Sequence, residues 1–222
     1  MNMNSYSYNN VKDGREIPMS ENTERLPQQT RSRVTAEKFL EAAFKLLETQ
    51  TFSELSVGDL ARTAERSVGA FYQRFGSKDE FLSILITDFM STGIGEKAAI
   101  VWQGDTAQDV FITFLEDTYH RIRNHRNLWH AALQMSSSSP EFWAQYGALR
   151  AQRFQDMLTA IEKGCGQKLS SEEAQRIAVA GQIFNSMINN QIINSPGPLS
   201  LDDDAFLPTM IEVALSVAKL SK

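Results

Sequence analysis

The sequence predicts an all-α fold, with a small three-helix head at residues 31–80 followed by a larger helical body at residues 81–222. Three observations predict it. Apolar residues recur at helical spacing through most of the chain, and few runs alternate as strands do. Only six prolines interrupt 222 residues. Residues 56–64 and 67–75 read as two very short helices, each opened by a serine and separated by a tight turn. A hydrophobic content of 42% is enough to bury a sizeable core.

The first 30 residues are expected to be disordered, because they lack a buried-face periodicity and Pro18 and Pro27 break any helix there. The first helix is predicted over residues 33–49, where Phe39, Leu40, Ala43, Phe44 and Leu47 form one apolar stripe. The second opens at Ser56, a good cap for free backbone N–H groups, with Asp59 near the positive helix end and Leu60 and Ala64 facing inward. The third opens at Ser67 and ends by Phe75-Gly76. Phe71 and Phe75, one turn apart, anchor it to its neighbours. Ser77 and Glu80 form a capping box for a fourth helix through Leu82, Leu85 and Phe89. It is expected to run on toward Gly93 and Gly95, reaching Val101, as the link to the body.

In the body, residues 105–123 predict a helix carrying Val110, Phe111, Phe114, Leu115 and Thr118, with a break near Asn124. A short helix follows over residues 128–135 and ends in four serines. Ser139 as cap and Pro140 in the first turn then open one long helix through Phe142, Tyr146, Leu149, Phe154, Leu158 and Ile161. Ser170 and Glu173 make another capping box, starting a helix through Ile177, Gly181, Phe184, Ile188 and Ile192. After Asn194-Ser195-Pro196-Gly197-Pro198, a last helix holds Met210, Val213, Ala214 and Val217.

The two short helices form a helix-turn-helix unit, whose second helix enters the DNA major groove. The small side chains of Val68, Gly69 and Ala70 let that helix approach base edges closely. The wider string is specific: Ser56-Val57-Gly58-Asp59-Leu60-Ala61, then Ser67-Val68-Gly69-Ala70-Phe71-Tyr72-Gln73-Arg74-Phe75-Gly76-Ser77-Lys78, ending at Phe81. With the first apolar helix and Phe52, residues 33–81 resemble the DNA-binding domain of the TetR family of bacterial transcriptional regulators. Glu65 stands where that pattern commonly has a turn glycine, Arg74 where it has histidine, and Gly58 where it has a larger residue.

The resemblance implies a homodimer on a double-stranded, pseudo-palindromic DNA operator. Matched residue by residue, it implies that the Tyr72 hydroxyl and Lys78 meet backbone phosphates. It places Val68 and Gly69 at base-contact positions, and Ser56, Arg66, Ser67 and Gln73 mainly at backbone-contact positions. It further implies dimerisation through the last two helices. There Ile177, Phe184, Ile188, Met210 and Val213 supply apolar surface, and Gly181, with Ala174 and Ala178, permits close approach. Filling the protomer's own core is the other reading of those faces. The resemblance also implies a small-molecule effector that releases a repressor from DNA.

Aromatics and thioethers concentrate in the middle of the chain, at Trp102, Phe114, Trp129, Met135, Phe142, Trp143, Tyr146 and Met157. Most are expected in the core, and a subset is expected to line a cavity between helices for a hydrophobic or aromatic compound. Trp129, Phe142 and Tyr146 are the expected wall residues.

Net charge is −5, yet residues 31–80 carry eight Lys/Arg against eight Asp/Glu, so the head is neutral. Within it, Arg31, Arg33, Arg62, Arg66, Arg74 and Lys78 are candidates for one basic face, and Arg31-Ser32-Arg33 for a minor-groove or phosphate contact. No apolar stretch is long enough to span a bilayer and no signal peptide opens the chain, so no membrane partner is expected. The single Cys165 suits a reducing cytoplasm. The sequence has no phosphate-binding glycine loop, metalloprotease His pair or nucleophile elbow, so neither catalysis nor a cofactor is expected. His120, His125 and His130 fall at five-residue steps, which do not share one helix face, so no metal is expected. Two rivals stay open: an effector-independent DNA-binding or architectural protein, and a helical enzyme carrying a DNA-binding-like segment.

Overall fold

A computed structural model describes residues 28–92, 102, 104–139 and 141–220. Nine α-helices and one 3-10 segment account for the regular structure among them. Residues 1–27 of the expected N-terminal arm, the stretch from Gly93 through Val101, and Pro140 lie outside the described residues, as do the side chains of Arg31 and Cys165, whereas residues 28–30, expected to be disordered, are the first turn of a helix.

Helix α1 (Gln28–Leu47) begins earlier than its apolar stripe, and buries Phe39, Ala43, Phe44 and Leu47. Helices α2 (Val57–Thr63) and α3 (Val68–Phe75) begin where the serines predict. The Ser56 and Ser67 hydroxyls accept from the Asp59 and Ala70 N–H groups at 3.0 and 3.1 Å. Each satisfies a donor that the helix itself leaves free. Helix α4 (Lys78–Thr92) opens with the Glu80 N–H donating to Ser77 at 3.1 Å and buries Phe81, Leu82, Leu85, Ile86 and Phe89.

One aromatic cluster locks α1, α3 and α4 together. Phe71 and Phe75 of α3 meet Phe39 of α1 at ring-centroid distances of 5.4 and 5.6 Å, and Phe81 of α4 at 5.0 and 4.5 Å. All four rings are at most 5% exposed. Edge-to-face contacts of this kind add about 1 kcal/mol each beyond burial. The outer face of α3 is thus held rigidly from behind.

Helix α5 (Ala107–Asn124) opens with a reciprocal capping box between Thr106 and Asp109. Helix α6 (Arg126–Ser138) is longer than its apolar pattern. Ser136, Ser137 and Ser138 continue it by donating to the carbonyls of Leu133, Gln134 and Met135. The expected long helix is two elements, a 3-10 segment at Phe142–Tyr146 and helix α7 (Gly147–Cys165). The break lets Phe142 and Tyr146 bury together while the Tyr146 hydroxyl reaches the Ser83 carbonyl at 3.2 Å.

Helix α8 (Ser171–Asn194) carries the predicted Ser170–Glu173 capping box. Helix α9 (Phe206–Ala218) tolerates Pro208 because its first turn needs no N–H there. These two helices pack along each other, α5 packs on α7 and α9, and α6 on α8. The α8–α9 loop is pinned from inside: buried Gln191 donates to the Pro196 and Leu199 carbonyls, and the buried Tyr119 hydroxyl donates to the Leu201 carbonyl. No helix among the described residues is long and apolar enough to cross a membrane.

Candidate nucleic-acid interface and ligand cavity

The turn between α2 and α3 is a Schellman motif. The Glu65 N–H donates to the Arg62 carbonyl and the Arg66 N–H to the Ala61 carbonyl, at 3.2 and 2.8 Å. Closing it requires a left-handed residue, and Glu65 adopts φ 55° where glycine would be unstrained. The departure from the family pattern is therefore one of residue, not of geometry.

Val68, Gly69, Tyr72 and Gln73 lie on one outer face of α3, opposite Phe71 and Phe75. Val68 and Tyr72 are 44% and 51% exposed, unusual for apolar and aromatic side chains on a helix so well packed behind. Ser56 and Ser67 are exposed at the starts of α2 and α3, and Arg66 is half-buried, donating to the Glu65 carbonyl at 2.8 Å. Lys78 is placed at the start of α4 but is not a free cation. Its ammonium donates to the Ser53 carbonyl at 3.3 Å and lies 4.8 Å from the centre of the Phe52 ring. Partial burial holds its pKa below the usual lysine value, against the raising effect of Asp79. Arg62 pairs with Asp59 and Arg33 with Glu37, so much of the expected basic face is internally compensated.

A second feature lies between α4, α5, α6, α7 and α8, a cavity of about 600 Å³. Of the expected wall residues only Trp129 lines it. Phe142 and Tyr146 are 5% and 1% exposed and stand behind Trp143, with centroids 5.0 and 5.9 Å from its ring. The 3-10 segment turns Trp143 to the cavity and the other two into the core. Phe114 and Met157, from the aromatic and thioether set, also reach the wall, joined by Phe89 of α4.

The cavity is less apolar than expected. Arg121, Arg150 and Arg153 are its only charged lining side chains among the described residues. They were not legible as a group, because α5 and α7 bring them together only in three dimensions.

The expected dimer residues divide by phase. Ile177, Phe184 and Ile188 are 0–1% exposed within the protomer, so the expectation that they offer surface is corrected: they fill its own core. Gly181 lines the cavity, where its missing side chain leaves open space. On the other side of α8, Val179, Ile183 and Met187 are exposed at steps of four, as is Val213 on α9, with Met210 half-buried beside it.

Comparison with known proteins agrees with this architecture. The family described as bacterial regulatory proteins, tetR family, matches residues 39–83. An uncharacterised HTH-type transcriptional regulator of Bacillus subtilis (strain 168), YwcC, is 41% identical over 58 residues. That match spans about a quarter of each protein, 26%. Over the whole chain, a TetR transcriptional regulator from Rhodococcus sp. RHA1 shares the fold, with a TM-score of 0.53 and 16% identity across 84% of this chain and 98% of that one. The dihydroxyacetone kinase operon activator DhaS does so at 0.50 and 16%, across 84% and 97%. The helix-turn-helix string at residues 39–83 is thus similar to the tetR family of bacterial regulatory proteins, and the helical fold beyond it is similar to that of solved regulators.

Proposed function

We propose that the chain is a ligand-responsive transcriptional repressor of the cytoplasm, binding a pseudo-palindromic DNA operator as a homodimer and released by a small, largely aromatic effector. The observation that carries this is the exposed outer face of α3, with Val68 and Tyr72 44% and 51% exposed, on a chain whose helical body holds a cavity of about 600 Å³. Residues 31–80 form the reading head in this proposal, and residues 81–222 sense and pair. Val68 and Gly69 meet base edges. Tyr72, Gln73, Ser56, Ser67 and Arg66 meet the sugar-phosphate backbone, and Lys78 a further phosphate on leaving the Ser53 carbonyl.

Pairing of two protomers is assigned to the exposed α8 stripe of Val179, Ile183 and Met187, with Met210 and Val213 of α9. The effector acts by binding better when the two heads are held off operator spacing. It shifts the equilibrium only by that difference in affinity, about 1–3 kcal/mol of coupling.

Selection of bound duplexes from the source genome, followed by binding titrations with and without ligand, tests this. An inverted-repeat motif bound by a dimer, with affinity falling steeply in salt, is the expected result. A monomer that enriches no such motif overturns it. A ligand that fills the cavity without changing DNA affinity leaves the effector-independent reading in its place.

A further inference from the structure

The three arginines of the cavity are mounted in the same way. The Arg121 guanidinium lies 5.0 Å from the Phe89 ring centre, Arg150 5.9 Å from Trp143, and Arg153 5.1 and 5.5 Å from Trp102 and Phe114. Only Arg153 has a carboxylate partner, Asp117 of α5. Arg150 is exposed at the mouth and donates to the Trp143 carbonyl at 3.4 Å. Arg121 is half-buried and donates to the Phe89 carbonyl, and no carboxylate of the described residues pairs with it.

A partly buried cation without a paired carboxylate is costly, because the protein has removed its water and the one carboxylate that attracts it, Asp117, is paired with Arg153. The neighbouring Arg153 adds repulsion. Burial first, and Arg153 second, bring the Arg121 pKa down to about 10 against the opposing attraction of Asp117, so it stays charged at neutral pH. Among the described residues the Phe89 carbonyl is the hydrogen-bond acceptor of its guanidinium. Asn189 already accepts from the Trp129 indole at 2.8 Å, and Asn185 donates to the Gly181 carbonyl at 3.0 Å. Among the described residues, no Asp, Glu or His lines the cavity.

We infer that the ligand of this cavity is an organic anion, an aromatic carboxylate whose ring lies among Phe89, Trp129 and Trp143 while its carboxylate meets Arg121. The inference rests on the effector reading above and narrows it, since an uncharged aromatic compound would leave the cation without a paired anion. A carboxylate on Arg121 competes with the Phe89 carbonyl for the guanidinium. It thereby acts on the helix that begins directly after the reading helix.

The test uses the full chain and matched probes: aryl carboxylates from benzoate to pyrene-1-carboxylate, each beside its own primary amide. Binding is read by calorimetry and by quenching of the wall tryptophans. The best acid is expected to bind about tenfold tighter than its amide, the difference between a charge-assisted and a neutral hydrogen bond. Arg121→Met is expected to shrink that preference to within about twofold while the amide still binds, and Arg121→Lys to retain most of it. Thermal melts of both variants establish that each is folded. An amide binding as tightly as its acid, or an acid preference that survives in folded Arg121→Met, overturns the inference while leaving an effector cavity in place. If no acid and no amide in the series binds, the cavity reading falls with it.

Discussion

The side-chain amide of Asn127 donates to the backbone carbonyl of Leu47 at 2.8 Å. Leu47 ends α1, where helix carbonyls lack partners of their own, and Asn127 sits in the first turn of α6. The body therefore caps the helix that supports the reading head. Beside this bond, the His125 ring stands between Phe44 of α1 and Phe89 of α4, at centroid distances of 5.9 and 5.7 Å. Phe89 in turn meets Trp129 at 5.6 Å and Trp129 meets Trp143 at 5.4 Å, so contacts run from the cavity wall to α1 without a gap.

Asn127→Leu should remove this cap with little change in volume. The expected loss is about 1 kcal/mol of stability, the net value of one such hydrogen bond. In ligand titrations the variant should keep its cavity affinity but lose part of the effect of ligand on DNA binding. Urea denaturation gives the first quantity and paired titrations the second. Unchanged stability together with unchanged coupling would show that the bond joins nothing of consequence.

His125 makes a pH prediction. Burial, with a smaller contribution from Arg121, holds its pKa below the ordinary 6.5, against the opposing pull of Glu48. A histidine whose folded pKa is depressed takes up its proton more readily when unfolded. Its neutral form costs nothing above pH 6.5, and stability is lost as pH falls below that value toward the folded pKa. His125→Phe keeps the ring contacts and removes the proton. The variant should gain on the wild type steadily as denaturation is repeated from pH 7.5 down to 5.5. A constant difference across that range would count against the assignment.

The turn between α2 and α3 offers a gain in stability. Glu65 holds a left-handed conformation that costs a non-glycine residue about 1 kcal/mol. Its ion pair with Lys38, at 3.6 Å and largely exposed, returns less than that. Glu65→Gly should therefore raise stability by up to about 1 kcal/mol with DNA affinity unchanged. Gly76→Ala should do the opposite. Gly76 has φ 74°, and an added Cβ would clash with the Glu80 carboxylate. Thermal melts of the two variants, compared directly, check both signs.

The reading helix separates two kinds of contact. An added side chain at Gly69 meets nothing closer than Ser67 Oγ at 3.8 Å, so Gly69→Glu should fold normally and abolish specific binding by pushing a carboxylate toward bases and phosphates. Lys78→Ala should weaken binding about equally for all sequences and reduce the salt slope by about one. Because Lys78 also donates to the Ser53 carbonyl, its melt must be measured beside its DNA affinity. Full operator affinity in folded Gly69→Glu would mean that α3 does not face the groove.

The head was legible in the sequence because its signals are local. Ser56, Ser67 and Ser77 cap helices within three residues of themselves, and Phe71 and Phe75 declare the buried face by their spacing. The body was legible in its helices but not in their phase. Helix α8 has apolar residues on two sides, Ile177, Phe184 and Ile188 on one and Val179, Ile183 and Met187 on the other. A helix that is apolar on two sides does not say which of them meets its own core. The cavity charge was hidden for another reason, since Arg121 and Arg153 become neighbours only when α5 packs on α7.

That ambiguity of phase yields the last prediction. If the exposed side of α8 pairs two protomers, Ile183→Glu places a carboxylate in the middle of the seam, between the apolar Val179 and Met187. The side chain is 36% exposed in the protomer, so the fold should survive while the dimer is lost. Phe184→Ala, one residue away, should behave in the reverse manner. Its ring is 1% exposed, and its removal should cost about 3–5 kcal/mol through the cavity left behind. Sedimentation equilibrium and denaturation of the two variants separate the cases. A folded Ile183→Glu protein that remains dimeric would move the interface off this face, and operator binding should fall only in a variant that has become a monomer.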